Sequence, residues 1–179
     1  DIELHEYELN KDGKEIPYNA DRQVLPGDVV SKIPRITNVA DPCHIRVKWE
    51  YTNDSEEEGL SDKNIGGMSE DWIWKDGYYY YKKVLENKES VDMFKTVSFP
   101  AEWTEAHSLQ RMDIPIVVEA IGLEDATPDY EKKDPWGGEP ARTVTPVKTG
   151  DRAMPMVWII ILLVSFGGLV LMTRKGVRK

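Results

Sequence analysis

The stretch HIRVKWEYT, residues 44–52, decides the fold class of this chain. Every second residue from Ile45 to Tyr51 is apolar or aromatic, whereas the residues between them are charged. A period of two is that of a β-strand, because successive side chains of a strand point to opposite faces of the sheet. The pattern therefore predicts a strand with one wet face, in which Trp49 is buried and Lys48 is exposed.

The same signals recur along the first 123 residues. Alternation returns between Met112 and Ala120, where Pro115 interrupts the pattern and indicates an edge strand or a bulge. Asp76-Gly77 between two aromatic runs is typical of a β-hairpin. Further strands are expected within residues 1–9, 24–36 and 93–99. About seven or eight short strands without a long helix predict an all-β ectodomain over residues 1–123, a jelly-roll or immunoglobulin-like β-sandwich.

Residues 124–152 have the composition of a spacer. They contain prolines at positions 128, 135, 140 and 146, the pair Gly137-Gly138 and many charged side chains. Segments of this composition are extended and poorly ordered. We expect this spacer to hold the ectodomain away from a membrane.

A membrane anchor is predicted at the C-terminal end. From Ala153 to Thr173 the chain has 21 consecutive uncharged and mostly apolar residues. As a helix they are about 30 Å long, the thickness of the hydrocarbon core of a bilayer. Four basic residues and no acidic one follow the span: Arg174, Lys175, Arg178 and Lys179.

The charges beside the span predict its orientation. The positive-inside rule assigns residues 174–179 to a cytoplasmic tail and everything before the span to the outside of the cell. A chain that is exported in this orientation needs a signal peptide, and this sequence starts at Asp1. We therefore expect a signal peptide that has been removed or left out.

Charge and cysteine content limit the function classes. The net charge is −9, and because residues 151–179 carry five basic and one acidic side chain, the first 150 residues carry −13. A nucleic-acid-binding protein needs the opposite sign, so no nucleic-acid partner is expected. The single cysteine, Cys43, cannot form an internal disulfide and is expected to be a small buried hydrophobe.

No catalytic constellation is evident in the sequence, and no cofactor is expected. The histidines His5, His44 and His107 do not form the His-Glu-x-x-His pattern of zinc proteases, although scattered histidines can still converge in space as zinc ligands. The aromatic group of Trp72, Trp74 and residues 78–81 is expected to serve core and cross-strand packing. Stacking against a carbohydrate is the alternative role for these rings.

Four stretches in order resemble the secreted biofilm-matrix family that includes TasA and camelysin. They are LPGDVVSKIPRITN (25–38), IRVK (45–48), DGYYYYKKVL (76–85) and the strand ending VEAI (114–121). The resemblance covers roughly residues 1–123 and implies a jelly-roll-like sandwich. It also implies that the protein can polymerise by donating an N-terminal strand to a neighbour, which is β-augmentation. Some camelysin-like proteins have been labelled metallopeptidases, so an envelope metallopeptidase is the alternative that this resemblance brings.

The segment before the span resembles a sortase sorting signal. Pro146, Val147, Lys148, Thr149 and Gly150 precede the apolar span and the basic tail. The resemblance implies that a sortase cysteine attacks the Thr149 carbonyl and that an amine on the cell wall or on another pilin then takes the acyl group. A plain membrane anchor, in which Thr149-Gly150 is only linker, is the alternative.

The function predicted from these patterns is that of a non-enzymatic, envelope-anchored surface protein of a Gram-positive-type cell. The resemblance, the spacer, the anchor and the lack of a catalytic motif together favour a matrix-fibre or pilin-like subunit with a structural or adhesive role. The expected partners are the membrane, a sortase with the cell wall or another pilin, and further copies of the chain. An envelope metallopeptidase of the camelysin type and a glycan-binding surface module are the alternatives.

Overall fold

The computed structural model describes residues 1–53, 59–104, 112–138 and 141–144. Asp1–Val147 form one compact unit, and the second unit, Lys148–Lys179, lies outside the described residues. The described residues form an all-β, antiparallel fold, and their one helix is a short 3₁₀ helix, Asp62–Asn64. The strands are β1 (Ile2–Leu9), β2 (Glu15–Pro17), β3 (Val29–Ser31), β4 (Ile33–Asn38), β5 (Cys43–Trp49), β6 (Thr52–Asn53), β7 (Ile65–Gly66), β8 (Trp72–Lys75), β9 (Tyr78–Tyr81), β10 (Ser90–Asp92), β11 (Thr96–Ser98), β12 (Met112–Asp113), β13 (Ile116–Gly122) and β14 (Arg142–Val144).

The strands form four sheets. The largest has five strands in the order β14-β13-β5-β9-β8, and the next has four in the order β10-β4-β1-β2. A three-stranded sheet, β3-β11-β7, and the pair β12-β6 complete the fold. One hydrophobic core contains buried residues from the two larger sheets and from the β3-β11-β7 sheet, among them Leu4, Ile36, Val47, Val97 and Val118.

Strand β5 follows the predicted alternation on its core side. Ile45 and Val47 have no exposed surface, and Trp49 packs partly buried against the same core. In register, Trp49 lies opposite Ile116 and Val47 opposite Val118, so β13 continues the apolar face. The opposite face of β5 is not the wet face that the sequence predicted, because Lys48 is only half exposed and Arg46 is largely covered.

The predicted hairpin is confirmed. Strands β8 and β9 pair from Trp72↔Tyr81 to Lys75↔Tyr78 across Asp76-Gly77. Both turn residues have positive φ, 46° and 88°, as the two-residue turns that match strand twist require. Glycine adopts this conformation without strain and aspartate tolerates it, which explains the dipeptide.

The strand interrupted by Pro115 is split into two. Strand β12 ends at Asp113, and β13 begins at Ile116. Strand β13 is interior, since β14 and β5 pair with it on either side. The proline therefore separates two short strands and does not mark an edge.

The end of the domain differs from the predicted boundary at residue 123. Trp136 is 3% exposed, and β14 adds to the five-stranded sheet through Val118↔Val144 and Ala120↔Arg142. Residues 124–138, which we call the strap, and β14 belong to the same compact unit as the strands before them. Proline and glycine in this segment form turns that let it fold back, and its aromatic residues attach it to the sheet.

The predicted anchor cannot be compared with the structure. Residues 145–179, including the span from Ala153 to Thr173 and the tail from Arg174 to Lys179, lie outside the described residues. Among the residues that are described, no helix is long and apolar enough to cross a membrane.

Candidate functional site

The predicted sorting signal, residues 146–150, lies outside the described part of the chain. Its nearest described neighbour in sequence is β14, which ends at Val144. The signal therefore follows directly after a strand of the folded domain and not after a long spacer. The strap and β14 are the last described parts of the chain before the predicted signal, and the contacts that hold them are therefore the candidate site.

Three polar contacts and one buried ring fasten the strap to the β8-β9 hairpin. The Tyr130 hydroxyl donates to the Tyr81 carbonyl at 2.9 Å, and Lys133 Nζ lies 3.1 Å from Asp76 Oδ1. The Tyr80 hydroxyl lies at 3.5 Å from Asp134 Oδ1. The Trp136 ring packs edge-on against Tyr80, with centroids 5.6 Å apart. Burial of large aromatic rings is the main source of stability in such contacts.

Arg46 lies under the strap, between two aromatic rings. Its guanidinium carbon is 4.1 Å from the centroid of Tyr78 and 4.6 Å from that of Trp136. Its Nε donates to Glu119 Oε2 at 2.6 Å, and its Nη1 donates to the Tyr80 hydroxyl at 3.1 Å. These contacts bury the Arg46 guanidinium, which the alternation in β5 had predicted to be exposed to solvent.

The charges in this cluster are matched. The side chains of Arg46 and Glu119 are 15% and 12% exposed and lie on adjacent strands, in register. Burial acts to lower the pKa of Arg46, but hydrogen bonds to Tyr80 and Glu119 outweigh it, and the pKa lies above its usual value. A guanidinium that is always charged and fully partnered holds a fold together but does not exchange protons.

A second cluster of charges, largely buried, lies beside strands β1 and β2 of the four-stranded sheet and was not found from the sequence. The Lys32 ammonium contacts the Glu6 carboxylate and lies 3.9 Å from the centroid of Tyr18. Burial lowers the pKa of Lys32, and burial with the nearby Glu6 charge raises the pKa of Tyr18 to about 12. Glu8, also buried, accepts from the Arg22 guanidinium. Glu6 and Glu8 lie on β1, whereas Tyr18, Arg22 and Lys32 lie in the connections between strands. No motif or spacing in the sequence marks them as a cluster.

The described histidines and the cysteine do not converge. His5 lies on β1 beside Glu3, with His5 Nε2 3.4 Å from Glu3 Oε2, whereas His44 and Cys43 lie on β5. Burial lowers the pKa of His44 and raises that of the Cys43 thiol. Within the described ranges, no group of three or more His, Cys, Asp or Glu side chains is arranged to hold a metal ion, and His107 lies outside those ranges.

The structure separates the aromatic group into buried and exposed members. Trp72, Tyr80 and Tyr81 are buried, in line with core and cross-strand packing, whereas Trp74 is 52% exposed. Tyr79 stacks on Trp49 with centroids 4.4 Å apart and also contacts Trp74. Both Trp49 and Tyr79 lie on the core side of their strands, so the rings form a row that reaches the surface at Trp74.

A hydrogen-bond chain follows this row. Trp49 Nε1 donates to the Tyr51 hydroxyl at 2.8 Å, which donates to Asp62 Oδ1 at 2.7 Å. The Tyr79 hydroxyl donates to Asp62 Oδ2 at 3.2 Å. Burial, together with the Asp62 carboxylate, raises the pKa of Tyr51 and brings that of Tyr79 to about 12. The sequence did not indicate Asp62, because it lies in a short 3₁₀ helix between strands that no sequence pattern predicted.

Comparison with known proteins gives no relative: no family model, curated protein or solved structure matches this chain.

Proposed function

We propose that the chain is a non-enzymatic surface protein, anchored in the envelope of a Gram-positive-type cell, that serves as a matrix-fibre or pilin-like structural or adhesive subunit. The observation that carries the proposal is the order of elements at the C-terminal end. A folded all-β domain closes with β14, and a Pro-Val-Lys-Thr-Gly segment, an apolar run and a basic tail follow at once. This is the order of a protein that displays one domain outside the cell and is attached through its C-terminal end.

The ectodomain is a β-sandwich of the jelly-roll or immunoglobulin-like kind. The support is that two antiparallel sheets of four and five strands contribute side chains to one common core. A rigid sandwich without disulfides needs such a core to be stable outside the cell. This fold class also suits a subunit that serves as a building block.

Covalent attachment proceeds at Thr149. A sortase thiolate attacks the Thr149 carbonyl and forms a thioester, and the peptide bond to Gly150 breaks. The segment that begins at Gly150 leaves with a newly protonated amino group. An amine of the cell wall or of another pilin then displaces the thiol and forms the final amide. The basic tail stays on the cytoplasmic side during this reaction, because moving each charge through hydrocarbon costs about 2.5 kcal/mol or more.

Self-association by strand addition is part of the proposal. Strand β1 pairs with β4 from Ile2 to Tyr7, whereas β2 pairs with it only from Tyr7 to Leu9. Among the described residues, no strand is therefore hydrogen-bonded to β1 before Tyr7 on the side opposite β4. A strand from another copy fits such an edge. Light scattering tests this: the chain should form oligomers as its concentration rises, and monomers at every concentration would count against this assembly.

The test of the attachment compares Thr149→Ala with a matched control, Lys148→Ala. Lys148 occupies the variable position of the signal, so its loss should leave processing intact. The unmodified protein and the control should be found in wall or polymer material that resists boiling in detergent. Thr149→Ala should remain extractable with the membrane fraction. Equal extraction of all three proteins would support a plain anchor, and stoichiometric zinc with chelator-sensitive proteolysis would support the metallopeptidase alternative.

A further inference from the structure

Trp74 is an exposed ring that is held in a fixed position. It lies on β8, two residues before the Asp76-Gly77 turn, and it is 52% exposed. The ring contacts Tyr79 with centroids 4.7 Å apart and planes tilted by 55°, and Tyr79 is itself stacked on Trp49. The indole therefore cannot turn away into solvent without losing this contact, so it is preorganised for a ligand.

Polar groups adjoin this ring through Tyr79. The Asp62 carboxylate is exposed and accepts one hydrogen bond from Tyr51 and one from Tyr79. Each carboxylate oxygen retains a free lone pair, and the Tyr79 hydroxyl oxygen can still accept a hydrogen bond.

The 3₁₀ helix fixes the position of Asp62. Asn64, at the end of this helix, donates from its Nδ2 to the Ser98 carbonyl of β11 at 2.9 Å. Tyr79 thus joins the two parts of the cluster, because its ring contacts Trp74 and its hydroxyl donates to Asp62.

We propose that Trp74, Tyr79 and Asp62 form a binding site for a neutral glycan. The Trp74 ring stacks against the C–H face of a pyranose, and Asp62 and Tyr79 accept hydrogen bonds from its hydroxyl groups. A pyranose has both features, an apolar face and a rim of donors, and small-molecule sites combine apolar surface with a few placed polar groups in this way. The site is independent of the proposed mode of attachment, because no residue of the sorting signal takes part in it.

Charge determines which glycans can bind. The first 150 residues carry −13, and the site contains a carboxylate, so polymers with phosphate or carboxylate groups are repelled. Neutral hexoses and N-acetylated amino sugars do not meet this repulsion.

The surroundings of Trp74 fit a small ligand better than a protein partner. None of the other exposed large hydrophobic side chains in the described residues lies on β8 or β9; they are Leu9, Ile16, Leu25, Val29, Val39 and Leu123. Stable protein interfaces need a continuous apolar centre, whereas a sugar ring needs one aromatic face.

The test measures binding of two neutral oligosaccharides, the hexamers of N-acetylglucosamine and of β-1,4-linked glucose, with polygalacturonate as the anionic comparison. The full chain is held in a detergent without a sugar head group, and binding is followed by calorimetry and tryptophan fluorescence. Trp74→Ala removes the ring, and Trp74→Tyr keeps a smaller ring in its place. Leu25→Ala is the matched control, because Leu25 is also exposed but lies before β3. Thermal melting of each variant verifies that it is folded.

The unmodified chain should bind at least one neutral hexamer and should not bind polygalacturonate. Trp74→Ala should weaken that binding by about tenfold or more, as truncation of a central aromatic contact does, while Trp74→Tyr loses less and Leu25→Ala loses nothing. No binding to either hexamer, or equal binding by the unmodified chain and Trp74→Ala, would overturn the proposal. If Trp74→Ala changes only the oligomeric state in light scattering, the ring is a protein contact and the glycan site is wrong.

Discussion

Replacing Trp136 by alanine tests whether the strap is part of the fold. The side chain is 3% exposed and packs against Tyr80 and the Arg46 guanidinium. Truncation of a buried tryptophan costs about 3–5 kcal/mol when the site cannot collapse. The indole Nε1 has no hydrogen-bond partner among the described residues, so its removal forfeits packing but no hydrogen bond.

The magnitude should lie at the lower end of that range, because the strap covers an outer face and can relax. We expect Trp136→Ala to lower the free energy of unfolding by about 3 kcal/mol. For a domain whose total stability is about 5–15 kcal/mol, such a loss is large. Urea unfolding of residues 1–147, followed by circular dichroism, measures it as a lower midpoint with an unchanged slope.

Trp74→Ala is the matched control, since it removes the same side chain from a position that is 52% exposed. Its expected cost is below about 1 kcal/mol, as for most surface substitutions. If the two variants unfold at the same urea concentration as the unmodified domain, the strap does not stabilise the fold. The segment would then be the extended spacer that its composition predicts.

Three further changes test other contacts. Glu119→Ala removes the carboxylate that is hydrogen-bonded to the covered Arg46 guanidinium and should cost about 2–4 kcal/mol. Asp71→Ala, which breaks an exposed pair with Lys83, should leave the urea midpoint nearly unchanged, and equal shifts in the two variants would mean that Arg46 is hydrated. Trp49→Ala should cost about 2–4 kcal/mol because the ring is only partly buried, and an unchanged melting curve would contradict its position on the core face. Stability should fall as the pH rises from 10 to about 12, because the unfolded chain loses tyrosine protons in that range that the fold retains on Tyr18, Tyr79 and Tyr130. Tyrosinate absorbance and circular dichroism should change together, and ionisation near pH 10 with the fold intact would refute this.

Alternation and turn chemistry are local signals, and they predicted the elements that depend on them. The core face of β5 and the Asp76-Gly77 hairpin are both present, because a period of two and a pair of positive φ values follow from nearby residues alone. The packing of the strap, in contrast, could not be predicted from local signals. Its prolines and glycines are typical of a linker, and only the sheet against which Trp136 packs makes it part of the domain.

The candidate sites needed long-range information for the same reason. Arg46 and Glu119 are far apart in sequence, and their pairing depends on the register between β5 and β13. Asp62 belongs to no motif, and its position beside Tyr51 and Tyr79 depends on where the short 3₁₀ helix packs. The aromatic group itself was visible in the sequence, but which ring reaches the surface was not, since exposure depends on what covers each strand.

The proposed attachment through Thr149 is tested most directly by the mass of the C-terminal peptide in envelope-released protein. After digestion, we expect a last peptide that ends at Thr149 and is joined by an amide bond to an amine from the wall or from another subunit. Residues 150–179 should be absent from this material. A C-terminal peptide that ends at Lys179 in all of the protein would contradict attachment through Thr149. The chain would then be a membrane-anchored domain that is not transferred to the wall or to another subunit.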